Sequence, residues 1–494
     1  MTRKTEVTIP AGTLRGSTSE GIVTFLGVPY AAPPVGSHRF MPPQPVLAWD
    51  GAREATSPGS NAPQIFRTMP GLELHPLVGN GWVKGDDYLT LNVWAPEDAQ
   101  GCPVMVFIHG GAFVLGSKDA SVSDGRAFAR DGIVCVAINY RMGIDGFLPI
   151  PGVLTNLGLR DQIAALTWVH DNIAVFGGDP GNVTVFGESA GAMTLAGLVT
   201  SPLAQGLFRR AIIQSGHGGM THEVGIAGKL VTKLGSMLGI APTRDGFASV
   251  TPDKAFNAIE QVSKPTTRID LRDAAGLEPL FGLSRFAPVH GDDVLPVAPL
   301  EALKRGAGSQ IDVLIGSNSE EMNLYLVPTG VRAKIGRLLA WLALRKSLPR
   351  AWRVLKAYGM GRRGVKPGLA FNLAMNDLVF RWPARRFAEE HRGRTHMYEF
   401  EWRSPRYDGE LGAAHGMELP FVFDTLATTS TPEGLTGPNP PQDLADRVHA
   451  IWVRYAIDGT LPWSEFTSES RNVFQLAADR TIHEPPLPAA PFLP

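Results

Sequence analysis

The chain has 494 residues, of which 44% are apolar and 19% are charged, so it can bury a sizeable core and global disorder is excluded. Its formal net charge of −1 gives no general preference for nucleic acid or for an anionic membrane surface. The longest apolar stretch that could suggest a membrane-spanning segment, Leu338 to Leu344, is far shorter than the roughly 20 residues that span a bilayer. We therefore expect a protein with no nucleic-acid partner and no integral membrane segment.

The first part of the chain, to about Gly101, is rich in proline and glycine and predicts an irregular surface segment with edge strands. Its N-terminal residues carry positive charge without a following apolar region, so no signal peptide is predicted. The two cysteines, Cys102 and Cys135, are few for a secreted chain of this length. They predict free thiols and a cytoplasmic location.

Six short apolar runs have the length and composition of buried strands. They read "VMVFIHGG", "IVCVAINY", "VTVFGESAG", "RAIIQSG", "DVLIGSNSEE" and "HMYEFEW". Helical patterns such as "LRDQIAALTWVHDNI" lie between several of them, and this alternation predicts an α/β fold with a large, mostly parallel sheet. Most runs end in glycine, serine, histidine or acid, which predicts a site outside the carboxyl ends of the strands.

A long stretch from Met322 to Asn376 contains no acidic residue but many lysines and arginines. The spacing of "VRAKIGRLLAWLALRKSLPRAWRVLKAYG" within it is helical, and we interpret residues 325–390 as a helical lid insertion in one catalytic domain over residues 1–494. An alternative interpretation is a basic amphipathic face that contacts anionic lipid. The formal G-x-G-x-x-G at Gly359 to Gly364 follows a helical pattern instead of a strand, which argues against dinucleotide binding.

The stretch "VTVFGESAGAM", Val183 to Met193, has the G-x-S-x-G pattern of a nucleophile elbow around Ser189. In this motif the serine lies on a tight strand-to-helix turn, and the following helix directs its N-terminus at the site. The confirming context is present, since "NVTVF" precedes the motif and "AGAMTLAGLVTS" follows it. Ser189 is therefore the candidate nucleophile.

A serine nucleophile needs a general base and an acid that orients it, and in this chain order both follow the serine. Spacing alone does not choose among the histidines that follow: His217, His222, His290, His391, His396, His415, His449 and His483. His415 lies in a loop flanked by glycine and alanine that can present an imidazole, whereas His391 and His396 lie in a charged stretch and are interpreted as solvent-facing. For the acid, "DVLIGSNSEE" offers Glu320 and Glu321 just past a strand end.

The stretch "FIHGGAFVLGS" has the strand-then-glycine form of a loop that supplies backbone oxyanion donors. Such donors are N–H groups, so small residues are needed where the substrate approaches. His109, at the strand end, is interpreted as a structural residue of this loop.

These motifs together resemble the type B carboxylesterases, the family that includes bacterial para-nitrobenzyl esterases and the cholinesterases. The resemblance covers nearly the whole chain and adds "FLGVPYAAPPVGSHRFMPPQPVLAWDG", "DDYLTLNVWAP", "NYRMGIDGFL" and "HGMELPFVF" to the motifs above. It implies an α/β-hydrolase fold and a serine carboxylesterase that cleaves small-molecule esters through an acyl-enzyme. It implies no metal and no organic cofactor, and we expect a monomer.

The resemblance also implies individual roles. Ser189 aligns with the nucleophile, Glu321 with the catalytic acid and His415 with the catalytic histidine. The oxyanion donors are implied to be the N–H groups of Gly111, Ala112 and Ala190. Behind the triad, Ser215 and Glu188 are expected to interact with it, and His217, Met220 and Phe286 are expected near the substrate pocket.

Three departures from the family pattern bear on these roles. Ala112 replaces the third glycine of the common oxyanion loop, which predicts a poorer fit for bulky esters. Met322 stands where a glycine usually follows the catalytic acid. Tyr88 stands where many secreted members have a cysteine, which agrees with the predicted cytoplasmic location.

The alternatives to a soluble esterase are a lipase acting at a lipid surface and a non-catalytic interaction protein on the same fold.

Overall fold

One large mixed sheet forms the centre of the molecule in a computed structural model that describes residues 3–264, 266–278 and 284–493. The strands are β1 (Arg3–Ile9), β2 (Gly12–Ser19), β3 (Ile22–Pro29), β4 (Ala52–Glu54), β5 (Thr90–Pro96), β6 (Cys102–Ile108), β7 (Val134–Ile138), β8 (Gly178–Glu188), β9 (Arg210–Gln214), β10 (His222–Glu223), β11 (Val289–His290), β12 (Asp312–Asn318), β13 (Thr395–Phe400), β14 (Asn472–Gln475) and β15 (Arg480–His483). The order in the large sheet is β1-β2-β3-β5-β7-β6-β8-β9-β12-β13-β14-β15, with β4 beside β2.

The middle of this sheet is parallel and its two ends are antiparallel. In the order of the sheet, every neighbouring pair from β7 to β14 is parallel. At one end, β1, β2, β3, β5 and β7 pair antiparallel in turn. At the other end, β15 pairs antiparallel with β14. The six apolar runs correspond to β6, β7, β8, β9, β12 and β13, so the predicted parallel core and the predicted edge strands near the N-terminus are both confirmed.

Helices cover the sheet. They are α1 (His75–Val78), α2 (Arg126–Arg130), α3 (Gly143–Phe147), α4 (Leu157–Asn172), α5 (Ala190–Thr200), α6 (Val224–Leu238), α7 (Arg244–Ala248), α8 (Pro252–Ser263), α9 (Pro299–Lys304), α10 (Asn323–Leu326), α11 (Val331–Lys334), α12 (Arg337–Leu344), α13 (Ala351–Ala357), α14 (Pro367–Asn376), α15 (Trp382–Glu390), α16 (Leu419–Val422) and α17 (Gln442–Asp458). A π-helical turn, Asp377–Arg381, joins α14 to α15. Short 3-10 turns occur at Gly36–His38, Ser121–Ser123, Ile173–Phe176, Pro202–Ala204, Leu426–Thr428 and Ala490–Phe492.

Two hydrophobic clusters lie on opposite faces of the sheet. Along β7, Val134, Val136 and Ile138 belong to one cluster while Cys135 and Ala137 belong to the other, as the alternation of side chains along a strand requires. The first cluster includes residues of α4, α5 and α14, and the second includes residues of α2, α16 and α17. Burial on both faces explains why these strands are apolar at nearly every position.

The acid-free stretch forms short helices between β12 and β13. The helical spacing over residues 331–359 predicted a helical insertion, and the chain there forms three helices, α11, α12 and α13. Gly336 precedes α12 and Pro349 precedes α13, and both residues interrupt a helix because glycine disfavours it and proline lacks the N–H. The helical character of residues 325–390 is as expected, while the lid function and the single-domain assignment over 1–494 stay predictions; residues 1, 2 and 494 lie outside the described residues.

The glycine-rich stretch at residues 359–364 lies between α13 and α14, so it follows a helix as the sequence indicated. Both cysteines are free thiols. Within the described ranges, no helix combines the length and the apolar character needed to cross a membrane.

Candidate active site

Ser189 lies on a sharp turn between β8 and α5. Its backbone has φ 54° and ψ −123°, a region that side-chain-bearing residues rarely adopt and that costs about 1–3 kcal/mol. The turn is held by two backbone bonds, from Ser189 N to Gln214 O at 2.9 Å and from Met193 N to Ser189 O at 2.9 Å. Ser189 is only partly buried between buried neighbours, and it lines a cavity.

The two motif glycines allow the strand and the helix to approach each other. A Cβ added at Gly187 would lie 2.8 Å from the backbone carbon of Gly191. One added at Gly191 would lie 2.0 Å from the carbonyl oxygen of Ile108, at the end of β6. Both contacts are with backbone and cannot relax cheaply, so glycine is required at both positions and the G-x-S-x-G pattern follows from packing.

His415 is bonded to Glu321. The His415 Nδ1 atom lies 2.6 Å from Glu321 Oε2, and the His415 backbone N–H donates to the Glu321 carbonyl at 3.2 Å. Glu321 has no exposed surface, and its Oε1 accepts from Ser215 Oγ at 2.6 Å and from the Asn318 N–H at 2.7 Å. Three hydrogen bonds therefore fix this carboxylate and, through it, the orientation of the imidazole.

The neighbouring acid, Glu320, faces elsewhere. Its carboxylate pairs with Arg403 and accepts the Ala413 N–H at 3.0 Å, and it makes no contact with His415. Glu321 instead turns inward directly after β12. The structure thus brings Glu321 to the histidine and leaves Glu320 in a partly exposed ion pair, while Met322 is buried beside them.

Glu188 approaches the other nitrogen of the ring, with its Oε1 3.1 Å from His415 Nε2. Burial raises the pKa of Glu188 to about 8, although the attraction of the nearby His415 ring acts to lower it. Burial also disfavours charge on His415, but Glu188 and Glu321 outweigh it and raise the pKa of His415 to about 9. The two groups are therefore coupled, and each has a pKa above its ordinary value.

A third buried carboxyl, Glu418, lies behind this pair. Its side chain accepts from Asn318 Nδ2 at 2.6 Å and from Gln214 Nε2 at 3.2 Å. Burial, together with repulsion from Glu321, raises the pKa of Glu418. The sequence analysis did not single out Glu418; its spacing of three residues after His415 was the available signal.

The predicted backbone donors surround the serine. Ala190 is the first residue of α5, where an N–H has no acceptor within the helix. Gly111 has φ 113° and Ala112 has φ 53° in the turn after β6, and neither N–H makes a hydrogen bond to any described residue. A Cβ at Gly111 would lie 1.8 Å from the Leu115 carbonyl oxygen, so this turn requires glycine there.

His109 supports the same turn. Its Nδ1 lies 2.8 Å from the Gly110 carbonyl, and its ring stacks on Tyr140 with centroids 4.6 Å apart. Burial lowers the pKa of His109 to about 4, so the ring is neutral. These contacts agree with the structural interpretation of His109.

Ser189 and His415 line a common cavity of about 180 Å³. Its other lining residues are Arg67, Thr68, Met69, Leu74, Leu77, Val78, Gly110, Gly111, Ala112, Leu115, Glu188, Leu324, Tyr325, Gly416 and Leu419. Two aromatic rings flank the imidazole, with centroids 5.5 Å away for Tyr325 and 4.9 Å for Phe380. Arg67, Tyr325 and Phe380 were not identified from sequence, because no motif surrounds them.

The residues predicted near the substrate pocket are not among those that line this cavity. His217, Met220 and Phe286 are all buried. The His217 ring is bonded on both sides, with Nε2 2.8 Å from the Val379 carbonyl and Nδ1 accepting the Gly219 N–H at 3.0 Å. Burial lowers the pKa of His217 to about 4. His217 is therefore a packing residue beneath the π-helical turn, and the pocket prediction for the three residues is corrected.

Two further histidines also differ from expectation. His391 and His396 are buried and not solvent-facing. His391 bonds Thr395 Oγ1 at 2.8 Å and the Gly308 carbonyl at 3.0 Å, while His396 lies on β13, one of the central strands. The charged residues around them in sequence concealed the fact that they enter or belong to a buried strand.

Comparisons with known proteins agree with this architecture. The family model described as "Carboxylesterase family" matches residues 3–487. The chain is 35% identical to para-nitrobenzyl esterase of Bacillus subtilis, over 97% of this chain and 96% of that protein. It is 34% identical to phenmedipham hydrolase of Pseudarthrobacter oxydans, over 91% and 89%.

Solved structures give the same result. A PNB esterase structure superposes with a TM-score of 0.84 at 31% identity, covering 99% of both chains. A Geobacillus stearothermophilus carboxylesterase at pH 6.8 superposes with a TM-score of 0.81 at 33% identity, covering 99% of this chain and 100% of that one. The predicted α/β-hydrolase fold is thereby confirmed.

Proposed function

The chain belongs to the carboxylesterase family and hydrolyses carboxylic esters, and from this premise we propose that Ser189, His415 and Glu321 are its catalytic triad. The observation that carries the proposal is the 2.6 Å contact between His415 Nδ1 and Glu321 Oε2, on the wall of the cavity that Ser189 also lines. The strained turn at Ser189 supports the same assignment. The serine, the acid and the histidine are all present, which argues against the alternative of a non-catalytic interaction protein.

The first half of the reaction acylates the enzyme. The Ser189 hydroxyl attacks the ester carbonyl while His415 Nε2 accepts its proton, and Glu321 stabilises the imidazolium that forms. The N–H groups of Gly111, Ala112 and Ala190 bind the oxyanion. His415 then donates its proton to the departing alcohol.

The second half releases the acid. Water attacks the acyl group on Ser189, with His415 again accepting the proton, and collapse of the second tetrahedral intermediate frees the serine. In the structure, His415 Nε2 lies 3.1 Å from Glu188 Oε1 in a contact that lacks hydrogen-bond geometry, and no described residue forms a hydrogen bond with this nitrogen. We propose that its bond to the Ser189 hydroxyl forms as substrate binds, since catalytic hydrogen bonds often tighten only then.

The test compares the unmodified chain with Ser189→Ala on p-nitrophenyl acetate. We expect the variant to lose nearly all turnover, because no other hydroxyl occupies the strained turn. Equal turnover in the two proteins would overturn the assignment. A series of p-nitrophenyl esters of increasing acyl length, run beside esters of bulky alcohols, then measures which groups the cavity accepts.

A second candidate function is hydrolysis at an anionic lipid surface. Its support is the acid-free stretch from residue 322 to 376, where Leu338 and Leu339 are 66% and 60% exposed and Trp352 is 38% exposed. Exposed apolar side chains among lysines and arginines suit the interface of an anionic membrane. Sedimentation with phosphatidylserine vesicles tests it; binding that is lost at high salt supports it, and equal sedimentation with and without vesicles contradicts it.

We also propose a reducing, cytoplasmic location, supported by the free thiols of Cys102 and Cys135 and by Tyr88 at the position of a family cysteine. Cell fractionation tests this proposal, and esterase activity in a secreted fraction would contradict it. The monomeric state stays a prediction.

A further inference from the structure

Arg67 is an unpaired cation in the wall of the catalytic cavity. It lies in the irregular segment between β4 and α1, and it lines the cavity together with Ser189 and His415. Among the residues that the structure describes, none forms a salt bridge or a hydrogen bond with its guanidinium. Burial lowers the pKa of Arg67, as expected for a partly buried cation that has lost some of its contact with water without gaining a counter-ion.

The charged and titratable groups around Arg67 do not neutralise it. Glu260 acts on it through space, but Glu260 is exposed on α8 and pairs with Lys264 at 3.7 Å. Tyr325 is buried, and burial raises its pKa well above the usual value, so it is an uncharged phenol. Glu188 is the only acid among the described lining residues, and its side chain faces His415 Nε2 at 3.1 Å and forms no ion pair with Arg67.

The surroundings of Arg67 in the cavity are mainly apolar. Met69, Leu74, Leu77 and Val78 lie on the same segment and on α1, and all four line the cavity. A partly buried cation beside such side chains is stabilised by an anion that joins it in the cavity. The planar fork of an arginine side chain matches a carboxylate, to which it can donate two parallel hydrogen bonds.

We propose that Arg67 binds a free carboxylate of the substrate, so that this esterase favours anionic esters, such as half-esters of dicarboxylic acids, over neutral esters of the same shape. The proposal rests on the catalytic assignment above, because it concerns the substrate of that same cavity. The apolar residues contact the carbon atoms between the ester and the carboxylate of the substrate. Arg67 selects substrates whose free end carries that carboxylate.

The experiment compares pairs of substrates that differ only in charge. Monoethyl adipate and the ethyl ester of its monoamide place the carboxylate, or its neutral isostere, on the acyl side, and release of ethanol is measured. 4-Acetoxybutanoate and 4-acetoxybutanamide do the same on the alcohol side, with release of acetate. For at least one pair we expect kcat/KM of the unmodified enzyme to favour the anion by more than about tenfold, mainly through KM.

Three variants assign that preference. Arg67→Gln lowers the ratio of kcat/KM for anion over amide by about ten- to hundredfold, the size of a charge-assisted hydrogen bond. Arg67→Lys lowers it less, because the charge remains while the fork is lost. Arg363→Gln removes the same charge from an exposed loop outside the cavity, and it leaves the ratio unchanged.

The outcomes separate this proposal from the catalytic assignment. Hydrolysis of both members of each pair without preference for the anion, or an equal fall of the ratio in Arg67→Gln and Arg363→Gln, overturns the role of Arg67 alone. Failure to hydrolyse these esters and p-nitrophenyl acetate overturns the catalytic assignment. Inhibition of the unmodified enzyme gives a check that needs no variant: adipate should inhibit p-nitrophenyl acetate hydrolysis at least about tenfold better than adipamide, and equal inhibition contradicts the proposal.

Discussion

The cavity around Ser189 has two walls that are built in different ways. The catalytic wall consists of Glu188, Ser189 and His415, with the fully buried Glu321 bonded to His415 behind it, and the substrate wall consists of Arg67, Met69, Leu74, Leu77 and Val78. The acid and the serine of the catalytic wall lie at or just past the ends of β8 and β12, and hydrogen bonds fix them. The substrate wall comes from an irregular segment and the four-residue helix α1.

This difference separates chemistry from selectivity. Strand ends in a buried sheet hold side chains rigidly, as catalysis requires. A loop outside the sheet can change its residues without disturbing that arrangement. We therefore expect changes in the catalytic wall to affect all esters, and changes in the substrate wall to alter the ratio between esters.

The largest expected effect separates the two neighbouring acids. Glu321→Gln should lower kcat by about 10³ to 10⁴ on every ester, because the amide no longer stabilises the imidazolium. Glu320→Gln is the matched control, since it changes the same group one residue away in a partly exposed ion pair, and it should lower kcat less than about fivefold. Steady-state kinetics on p-nitrophenyl acetate measure both, and equal losses would contradict the assignment of Glu321.

A smaller effect concerns pH. Activity needs neutral His415, whose pKa is raised to about 9, so kcat/KM should rise with pH on the alkaline side of neutrality. Glu188→Gln removes the first of the two carboxylates that raise this pKa, and the acid limb of the profile should move about one unit to lower pH. Glu418→Gln, which removes a weaker influence, should move it less. An unchanged limb in Glu188→Gln, or one at higher pH, is the contrary result.

The smallest effect is on size selectivity. Of the three proposed oxyanion donors, Ala112 is the one that carries a side chain where the family has glycine. Its φ of 53° suits glycine. Ala112→Gly should raise kcat/KM for esters of bulky alcohols relative to ethyl acetate by about tenfold, the range for one methyl group in a pocket. A ratio that stays the same would show that another residue limits substrate size.

The catalytic wall was predictable from sequence because its residues are tied to backbone geometry. Gly187, Gly191 and Gly111 are demanded by close backbone approach, and they surround Ser189 in a pattern that the sequence displays. Glu321 could be separated from Glu320 only through the family resemblance, since both follow the same strand. The structure adds the physical reason, which is that one side chain turns inward and the other turns towards Arg403.

The substrate wall was not predictable, because nothing local in the sequence marks it. Arg67 lines the same cavity as Ser189 because of a long-range fold that no spacing reveals. His217 and Phe286 were expected near the pocket and are instead buried, with His217 bonded beneath the π-helical turn. The helical spacing over residues 331–359 predicted helices without their bounds, which the structure places before and after Gly336 and after Pro349.

The most direct test of the catalytic wall is covalent labelling with an organophosphate, followed by mapping of the modified peptide by mass spectrometry. A triad of Ser189, His415 and Glu321 predicts one adduct per chain on Ser189, no adduct in Ser189→Ala and much slower labelling in His415→Ala. An adduct at another residue, or equally fast labelling of Ser189→Ala, would contradict it.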